Sequence, residues 1–168
     1  MTSWLWLLLL PLGGYLAAAG YLYGMQRRLM YPADPAMPPV ASAGGRLPDV
    51  IETRAADGVA CRHWHWPARA AGAGTLLLFH GNAGTLADRV EKYAPLVEQG
   101  QGLLLAGYRG YGGNPGRPSE AGLLADARAV AAWAAANGEG PLVLYGESLG
   151  AALAVPLAAE GIGEGLIL

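Results

Sequence analysis

Charge, lysine and cysteine are all scarce in this chain. Only 14% of its 168 residues are charged, and the formal net charge is -2. Lys92 is the one lysine, and no basic patch exists to neutralise phosphates, so the composition argues against nucleic acid as a partner. Cys61 is the one cysteine. The sequence therefore offers no intrachain disulfide and no cysteine-based metal site.

Charge is missing altogether near the N-terminus, where no charged residue occurs between Trp4 and Met25. That length is enough to span a bilayer as a helix. A cleaved signal peptide is the alternative, with Ala17–Ala19 as its cleavage site. However, no Lys or Arg precedes the apolar run, and the run continues past these alanines. The sequence thus predicts a transmembrane anchor over residues 1–25, with the lipid bilayer as a partner.

The charges that follow this run suggest an orientation. Arg27 and Arg28 come directly after it, whereas only the α-amino group precedes it. The positive-inside rule then predicts a single-pass membrane protein whose remaining chain lies in the cytoplasm. Residues 26–48 are predicted to form a juxtamembrane linker, because the part from Pro32 to Pro48 is rich in Pro, Ala and Gly.

Residues 49–168 show the alternation of strands and helices that is typical of an α/β domain. Two β-type runs flank Asp57-Gly58, which predicts an antiparallel hairpin. Further apolar runs at 75–79, 103–106 and 142–145 are separated by helical patterns at about 85–99 and 119–136. Ser119 is the predicted N-cap of the second helix, and Asn137-Gly138 its predicted end. This order predicts a mostly parallel sheet with helices on both faces.

The pentapeptide GESLG at positions 146–150 is the strongest chemical motif. It follows an apolar strand and precedes a helical pattern from Ala151 to Ala159. A serine in a sharp strand-to-helix turn is strained and exposed, and small residues two positions before and after it prevent a clash. The helix N-terminus also favours an anionic intermediate. Ser148 is therefore the candidate nucleophile.

A second loop suits the same chemistry. The strand at 75–79 ends in HGNAG, positions 80–84. Acyl transfer needs backbone N–H donors aimed at the oxygen that becomes negative in the transition state. The amides of Asn82 and Leu149 are the predicted oxyanion hole. His80 is interpreted as a residue that organises this loop, and Glu147 as a structural neighbour of the nucleophile.

These motifs together resemble the α/β-hydrolase superfamily, and more narrowly its membrane-tethered serine hydrolases. The resemblance is carried by four stretches, which span nearly the whole chain: QRRLMYP at 26–32, HGNAG at 80–84, YRGYG at 108–112 running to PSEAGL at 118–123, and the turn around Ser148. It implies an α/β-hydrolase fold preceded by one transmembrane helix. Gly107 departs from the pattern, since the group usually has an Asp before the Tyr-Arg pair.

The resemblance leaves two roles open for the YRGYG loop. Tyr108 and Arg109, together with His80 and Gly81, are candidates for lining the substrate site, and a packed loop held by Arg109 is the alternative. His63 and His65 lie two residues apart on one strand face, but no acidic or cysteine neighbour completes a metal site. They are therefore interpreted as a surface pair on an edge strand, and no metal or cofactor is expected.

The predicted catalytic machinery is incomplete. Such a serine needs a base and an orienting acid, and in this fold both come later in the chain than the serine. Only 20 residues follow Ser148, and none is a histidine. The apolar end Gly165–Leu168 looks like the start of another strand. We therefore expect an N-terminal fragment of a longer hydrolase, inactive by itself.

The resulting functional hypothesis is a serine hydrolase that acts on an ester, thioester or amide carbonyl through an acyl-enzyme at Ser148. Its substrate would be an acyl or ester-type small molecule. Two alternatives stay open at this point. One is a non-catalytic hydrolase-like membrane protein that binds a ligand or partner, and the other is an aminopeptidase-like hydrolase of the same fold.

Overall fold

A computed structural model describes residues 4–138 and 140–168 of the chain, in two units. The first unit ends at Pro32 and contains one helix, α1 (Leu5–Met30). At 1.5 Å per residue this helix is about 39 Å long, more than the roughly 30 Å of a bilayer's hydrocarbon core. Its portion Trp6–Met30 has a mean hydropathy of 1.4, which suits a membrane span, and an N-terminal signal sequence meets the same criteria.

The second unit, Ala33–Leu168, contains six strands and three longer helices among its described residues. A single 3₁₀ turn, Ser148–Gly150, leads directly into the last helix. In chain order the elements are β1 (Asp49–Arg54), β2 (Ala60–Trp66), β3 (Thr75–Phe79), α2 (Ala87–Glu98), β4 (Gly102–Ala106), α3 (Glu120–Asn137), β5 (Leu142–Gly146), α4 (Ala151–Ala159) and β6 (Gly165–Ile167).

The strands form one sheet in the order β1-β2-β4-β3-β5-β6. The first two strands are an antiparallel hairpin, in which Arg54 pairs with Ala60 and Gly58 takes a φ of 85° in the turn. Strand β2 is also antiparallel to β4, whereas β4, β3, β5 and β6 run parallel to one another. The predicted hairpin and mostly parallel sheet are both confirmed.

Helices cover both faces of the sheet. Leu78, Leu103 and Leu105 pack with the buried residues of α2 in one hydrophobic cluster. Successive strand residues point to opposite faces, so Leu104 faces away from α2. His65 pairs with Leu104 in the sheet, and its ring lies 5.1 Å from that of Trp133 on α3. Helix α3 therefore packs on the opposite face.

The ends of α3 follow the predicted capping chemistry. The Ser119 hydroxyl accepts a hydrogen bond of 3.2 Å from the Gly122 amide, one of the N–H groups that a helix start leaves unpaired. The helix ends at Asn137, directly before Gly138. Both boundaries agree with the prediction.

The segment from 33 to 48 has no regular secondary structure, yet it is attached to the second unit. The Gly112 amide donates to the Asp34 carbonyl at 2.7 Å, and the Trp66 indole donates to the Arg46 carbonyl at 2.9 Å. Ala43, which exchanges two backbone hydrogen bonds with Arg46, is fully buried. The region expected to be an extended linker is thus docked against the fold.

The interpretation of His63 and His65 as a surface pair is wrong. Strand β2 lies between β1 and β4, and both side chains are buried. The Gly107 amide donates to His63 Nδ1 at 3.0 Å, so the ring proton lies on Nε2 and is donated to the Thr53 hydroxyl 2.8 Å away. Burial lowers the pKa of His63 to about 3. His63 is thus a neutral structural residue.

This burial predicts a pH-dependent stability. An unfolded chain binds a proton at its histidines near pH 6.5, whereas folded His63 resists protonation until about pH 3. Stability must therefore fall as the pH drops below 6.5, because the unfolded state binds the extra proton. We expect a loss from this group of about 2 kcal/mol in the free energy of unfolding by pH 5.

Urea unfolding at pH 7.5 and pH 5 measures this loss. His63→Asn is the matched variant, because its amide oxygen still accepts from the Gly107 amide but the side chain does not titrate. Between pH 7.5 and pH 5, the free energy of unfolding of this variant is expected to fall by about 2 kcal/mol less than that of the unaltered protein. An identical pH dependence in the two proteins would contradict the assignment of His63 as a buried neutral group.

Candidate active site

Ser148 lies in a sharp turn at the carboxyl end of β5. Its φ is 52°, and among the described residues it is the one non-glycine with a positive φ. This region of backbone space costs a residue with a Cβ roughly 1–3 kcal/mol and is concentrated at functional sites. The side chain is solvent-exposed. The predicted strained, exposed position between a strand and a helix is confirmed.

The two glycines of the motif make this turn possible. A Cβ at Gly146 would come within 2.6 Å of the Ala151 Cα at the start of α4. A Cβ at Gly150 would overlap the Phe79 carbonyl oxygen at the end of β3. Any side chain at either position would therefore push the helix away from the strands, and the turn would open.

Glu147 fastens the turn to its surroundings. Its amide donates to the Phe79 carbonyl at 2.9 Å, and its carboxylate accepts from the Lys92 ammonium at 3.0 Å and the Tyr93 hydroxyl at 3.2 Å. The hydrogen bond from Lys92 is the main reason why the pKa of Glu147 lies below its ordinary value. Glu147 thus links the turn to α2, as its interpretation as a structural residue predicts.

The loop from His80 to Gly84 lies beside Ser148. A Cβ placed on Gly81 would be 3.6 Å from the Ser148 Cβ, an ordinary van der Waals contact. Strands β3 and β5 are parallel neighbours, so both loops leave the same end of the sheet. The expected proximity of the two loops is confirmed. The convergence of the Asn82 and Leu149 amides on one oxygen stays a prediction.

His80 is buried, and its ring forms a hydrogen bond within the loop. Its Nδ1 lies 2.6 Å from the Gly81 carbonyl oxygen. A carbonyl only accepts, so Nδ1 carries the proton and donates. The ring also stacks on Tyr108, with centroids 4.2 Å apart. Burial lowers the pKa of His80 to about 4, far from the neutral range that suits a general base.

Of the four substrate-site candidates, Arg109 has the clearest structural role. Its guanidinium contacts the Asp126 carboxylate at 2.7 Å and the Asp57 carboxylate at 2.5 Å. Both Arg109 and Asp126 are buried, and the hydrogen bonds that Arg109 donates to the Asp126 carboxylate raise the pKa of the arginine. These contacts favour the packed-loop interpretation of YRGYG, and we assign Arg109 no contact with substrate.

Gly107 departs from the family pattern for a reason that the structure shows. The backbone of β2 approaches so closely that a Cβ on Gly107 would overlap the Arg62 carbonyl oxygen. The Gly107 amide also donates to the buried His63 ring. An aspartate at this position would therefore require the two strands to move apart.

Two contacts to the His80–Gly84 loop were missed by sequence reasoning. The buried Tyr111 hydroxyl donates to the Asn82 carbonyl at 3.1 Å, and the Arg89 guanidinium donates to the Ala83 carbonyl. In the sequence, Tyr111 stands out only as part of the YRGYG motif. Nothing in the sequence distinguishes Arg89, because a single arginine in an amphipathic helix more often faces solvent.

Among residues 4–138 and 140–168, no cluster of three or more His, Cys, Asp or Glu side chains could hold a metal ion. The groups that lie together at this end of the sheet are the Ser148 hydroxyl, the His80–Gly84 loop and the start of α4.

Known proteins resemble this chain in sequence and in structure. Uncharacterized protein Rv2307c of Mycobacterium tuberculosis is 42% identical over 156 residues, which are 88% of this chain and 54% of that protein. Lysophosphatidylserine lipase ABHD12 of Mus musculus is 39% identical over 97 residues, 56% of this chain and 24% of that protein. The chain thus spans about half the length of the mycobacterial relative and a quarter of the lipase. No protein-family model matches it.

Among solved structures, XC6422 of Xanthomonas campestris, described as an α/β serine hydrolase without lid, superimposes with a TM-score of 0.60. The sequences are 22% identical, and the match covers 79% of this chain and 62% of that one. The sheet order and the turn at Ser148 agree with this likeness. The chain therefore belongs to the proteins with the α/β-hydrolase fold.

Proposed function

We propose that this protein is a membrane-anchored serine hydrolase with Ser148 as its nucleophile. The observation that carries the proposal is the exposed serine with a φ of 52°, in a turn that two obligatory glycines permit and beside a second loop from the neighbouring strand. Backbone strain of this kind persists only where the surroundings impose it.

In the proposed reaction the Ser148 hydroxyl oxygen attacks the carbonyl carbon of the substrate, and its proton passes to a base. The amides of Asn82 and Leu149 stabilise the negative oxygen of the tetrahedral intermediate. The base then protonates the leaving group, which departs and leaves the acyl group on Ser148. Water, deprotonated by the same base, hydrolyses this acyl-enzyme.

We propose that the base and its orienting acid lie outside these 168 residues. His63 uses both ring nitrogens in hydrogen bonds. His80 donates from Nδ1 to the Gly81 carbonyl, and its pKa is lowered to about 4. His65 lies on β2, three strand positions from β5, which is about 14 Å across the sheet. The longer mycobacterial relative leaves room for both groups.

An ester-type lipid is the proposed substrate class. The related ABHD12 is named as a lysophosphatidylserine lipase, and helix α1 is long and apolar enough to hold the enzyme at a bilayer. An anchored enzyme meets acyl chains at the membrane surface, where such substrates are concentrated.

Hydrolysis assays test the proposal. The full-length protein in membranes is expected to hydrolyse activated esters such as p-nitrophenyl butyrate, and to release fatty acid from lysophospholipids. The 168-residue chain is expected to show little turnover, because it lacks the base. Full turnover by the 168-residue chain would contradict the proposed location of the base, and no turnover by the full-length protein would contradict the hydrolase itself.

A further inference from the structure

The loop beside Ser148 is held through its carbonyl groups. The Tyr108 hydroxyl donates to the His80 carbonyl at 2.9 Å, and the Tyr111 hydroxyl donates to the Asn82 carbonyl at 3.1 Å. Between them, the His80 ring donates to the Gly81 carbonyl at 2.6 Å. The next carbonyl, that of Ala83, accepts from Arg89. Four consecutive peptide carbonyls are therefore bound by side chains.

These hydrogen bonds also fix the direction of the amides. A peptide unit is planar and trans, so its N–H points opposite to its C=O. The peptide between Gly81 and Asn82 has its carbonyl turned toward the His80 ring, and the N–H of Asn82 must point the other way. Tyr108 and Tyr111 fix the peptides on either side, so this one cannot rotate independently.

The three donors form a rigid cluster, which we call the aromatic clamp (His80, Tyr108 and Tyr111). Each side chain is at most 2% exposed. The Tyr108 ring stacks on His80, and Tyr111 meets both rings edge-on with centroids 5.9 Å from His80 and 5.7 Å from Tyr108. Close packing of this kind leaves no alternative rotamer for the hydroxyl groups.

The clamp is itself attached to distant parts of the fold. The Tyr111 amide donates to the Tyr108 carbonyl at 3.2 Å, which closes a tight turn around Arg109. Arg109 binds Asp126 on α3 and Asp57 in the β1–β2 turn. The position of the two tyrosine hydroxyls is therefore set by α3 and the hairpin, not by the loop that they hold.

We propose that Tyr108 and Tyr111, together with His80, are positioning residues that orient the oxyanion amide of Asn82. This inference rests on the proposed function and assigns a task to the YRGYG motif. An oxyanion hole works because its dipoles are oriented before the reaction begins. The clamp provides that orientation from the carbonyl side of the loop, through the hydrogen bonds to the His80, Gly81 and Asn82 carbonyls.

The variants Tyr111→Phe and Tyr108→Phe each remove one hydroxyl and keep the ring packing. In the full-length protein, with active sites counted by a fluorophosphonate probe, each is expected to lower kcat for p-nitrophenyl butyrate about tenfold, since small misplacements of catalytic groups are costly. KM should stay within about twofold, because the lost interaction acts in the transition state. Thr53→Val is the matched control, as it also removes one buried hydroxyl hydrogen bond, and it should keep its kcat.

A second readout separates positioning from simple loss of folded protein. An aliphatic trifluoromethyl ketone forms a tetrahedral adduct with the serine and places a negative oxygen in the oxyanion hole. Its inhibition constant should rise in the tyrosine variants by the same factor by which kcat/KM falls. A neutral amide analogue of the substrate, which forms no adduct, should bind to all variants equally.

The outcomes distinguish the two proposals. If both tyrosine variants match Thr53→Val in kcat per active site and in ketone inhibition, the clamp has no positioning role, while the hydrolase assignment stands. If only one of them folds, its values alone decide in the same way. If the unaltered full-length protein neither hydrolyses esters nor binds the probe, the proposed function fails and the clamp proposal falls with it.

Discussion

Ser148→Ala is expected to lower kcat of the full-length protein by about 10⁶-fold, because the residues of such a catalytic unit act together. The residual rate should still exceed that of the uncatalysed reaction by roughly 10³–10⁴-fold, since the oxyanion hole and substrate binding remain. The stability of the fold should not decrease, because the substitution removes only an exposed hydroxyl. Initial rates with p-nitrophenyl butyrate measure the loss.

Ser119→Ala is the control for this substitution. Ser119 caps α3, and losing such a cap costs about 1 kcal/mol of stability, but it should leave kcat unchanged. Equal kcat values for Ser148→Ala and Ser119→Ala would show that Ser148 is not the nucleophile. The strained turn would then need another explanation.

The second large effect is expected from Arg109→Met. The substitution leaves Asp126, whose side chain is 1% exposed, without its cationic partner. Breaking a buried ion pair from one side costs about 3–5 kcal/mol, because an uncompensated charge stays buried. We expect the free energy of unfolding in urea to fall by that amount, and the His80–Gly84 loop to lose order with it.

Arg128→Met provides the comparison for this loss. Arg128 pairs with Glu160 at 2.6 Å, but the two side chains are 50% and 39% exposed. Exposed pairs of this kind contribute about 0–1 kcal/mol. If the two arginine variants lost the same stability, the network of Arg109, Asp57 and Asp126 would not be the buried anchor of the YRGYG loop.

The local features of the site could be predicted because they depend on short stretches of sequence. The turn at Ser148 needs Gly146 and Gly150 at fixed spacing, and that spacing is visible in the motif. The hairpin at Asp57-Gly58 and the cap at Ser119 are equally local. Apolar runs that alternate with helical patterns along the chain predict parallel strands, because each helix then connects one strand to the next.

The features that sequence reasoning missed all depend on contacts between distant residues. The sequence predicts an exposed His63, because the pattern does not reveal that β2 lies inside the sheet, next to β4. The partners of Arg109 are 17 and 52 residues away in the chain. The hydrogen bond from Tyr111 to Asn82 spans 29 residues. Such pairs follow from the topology, which the spacing of motifs alone does not give.

The central claim is that Ser148 is a nucleophile, and covalent labelling tests it most directly. A fluorophosphonate probe would be applied to membranes containing the full-length protein or its Ser148→Ala variant, and the modified peptide identified by mass spectrometry. We predict one phosphonylated residue, Ser148, and no labelling of the variant. Labelling on another residue, or no labelling of the unaltered full-length protein under conditions that label a known serine hydrolase, would contradict the account.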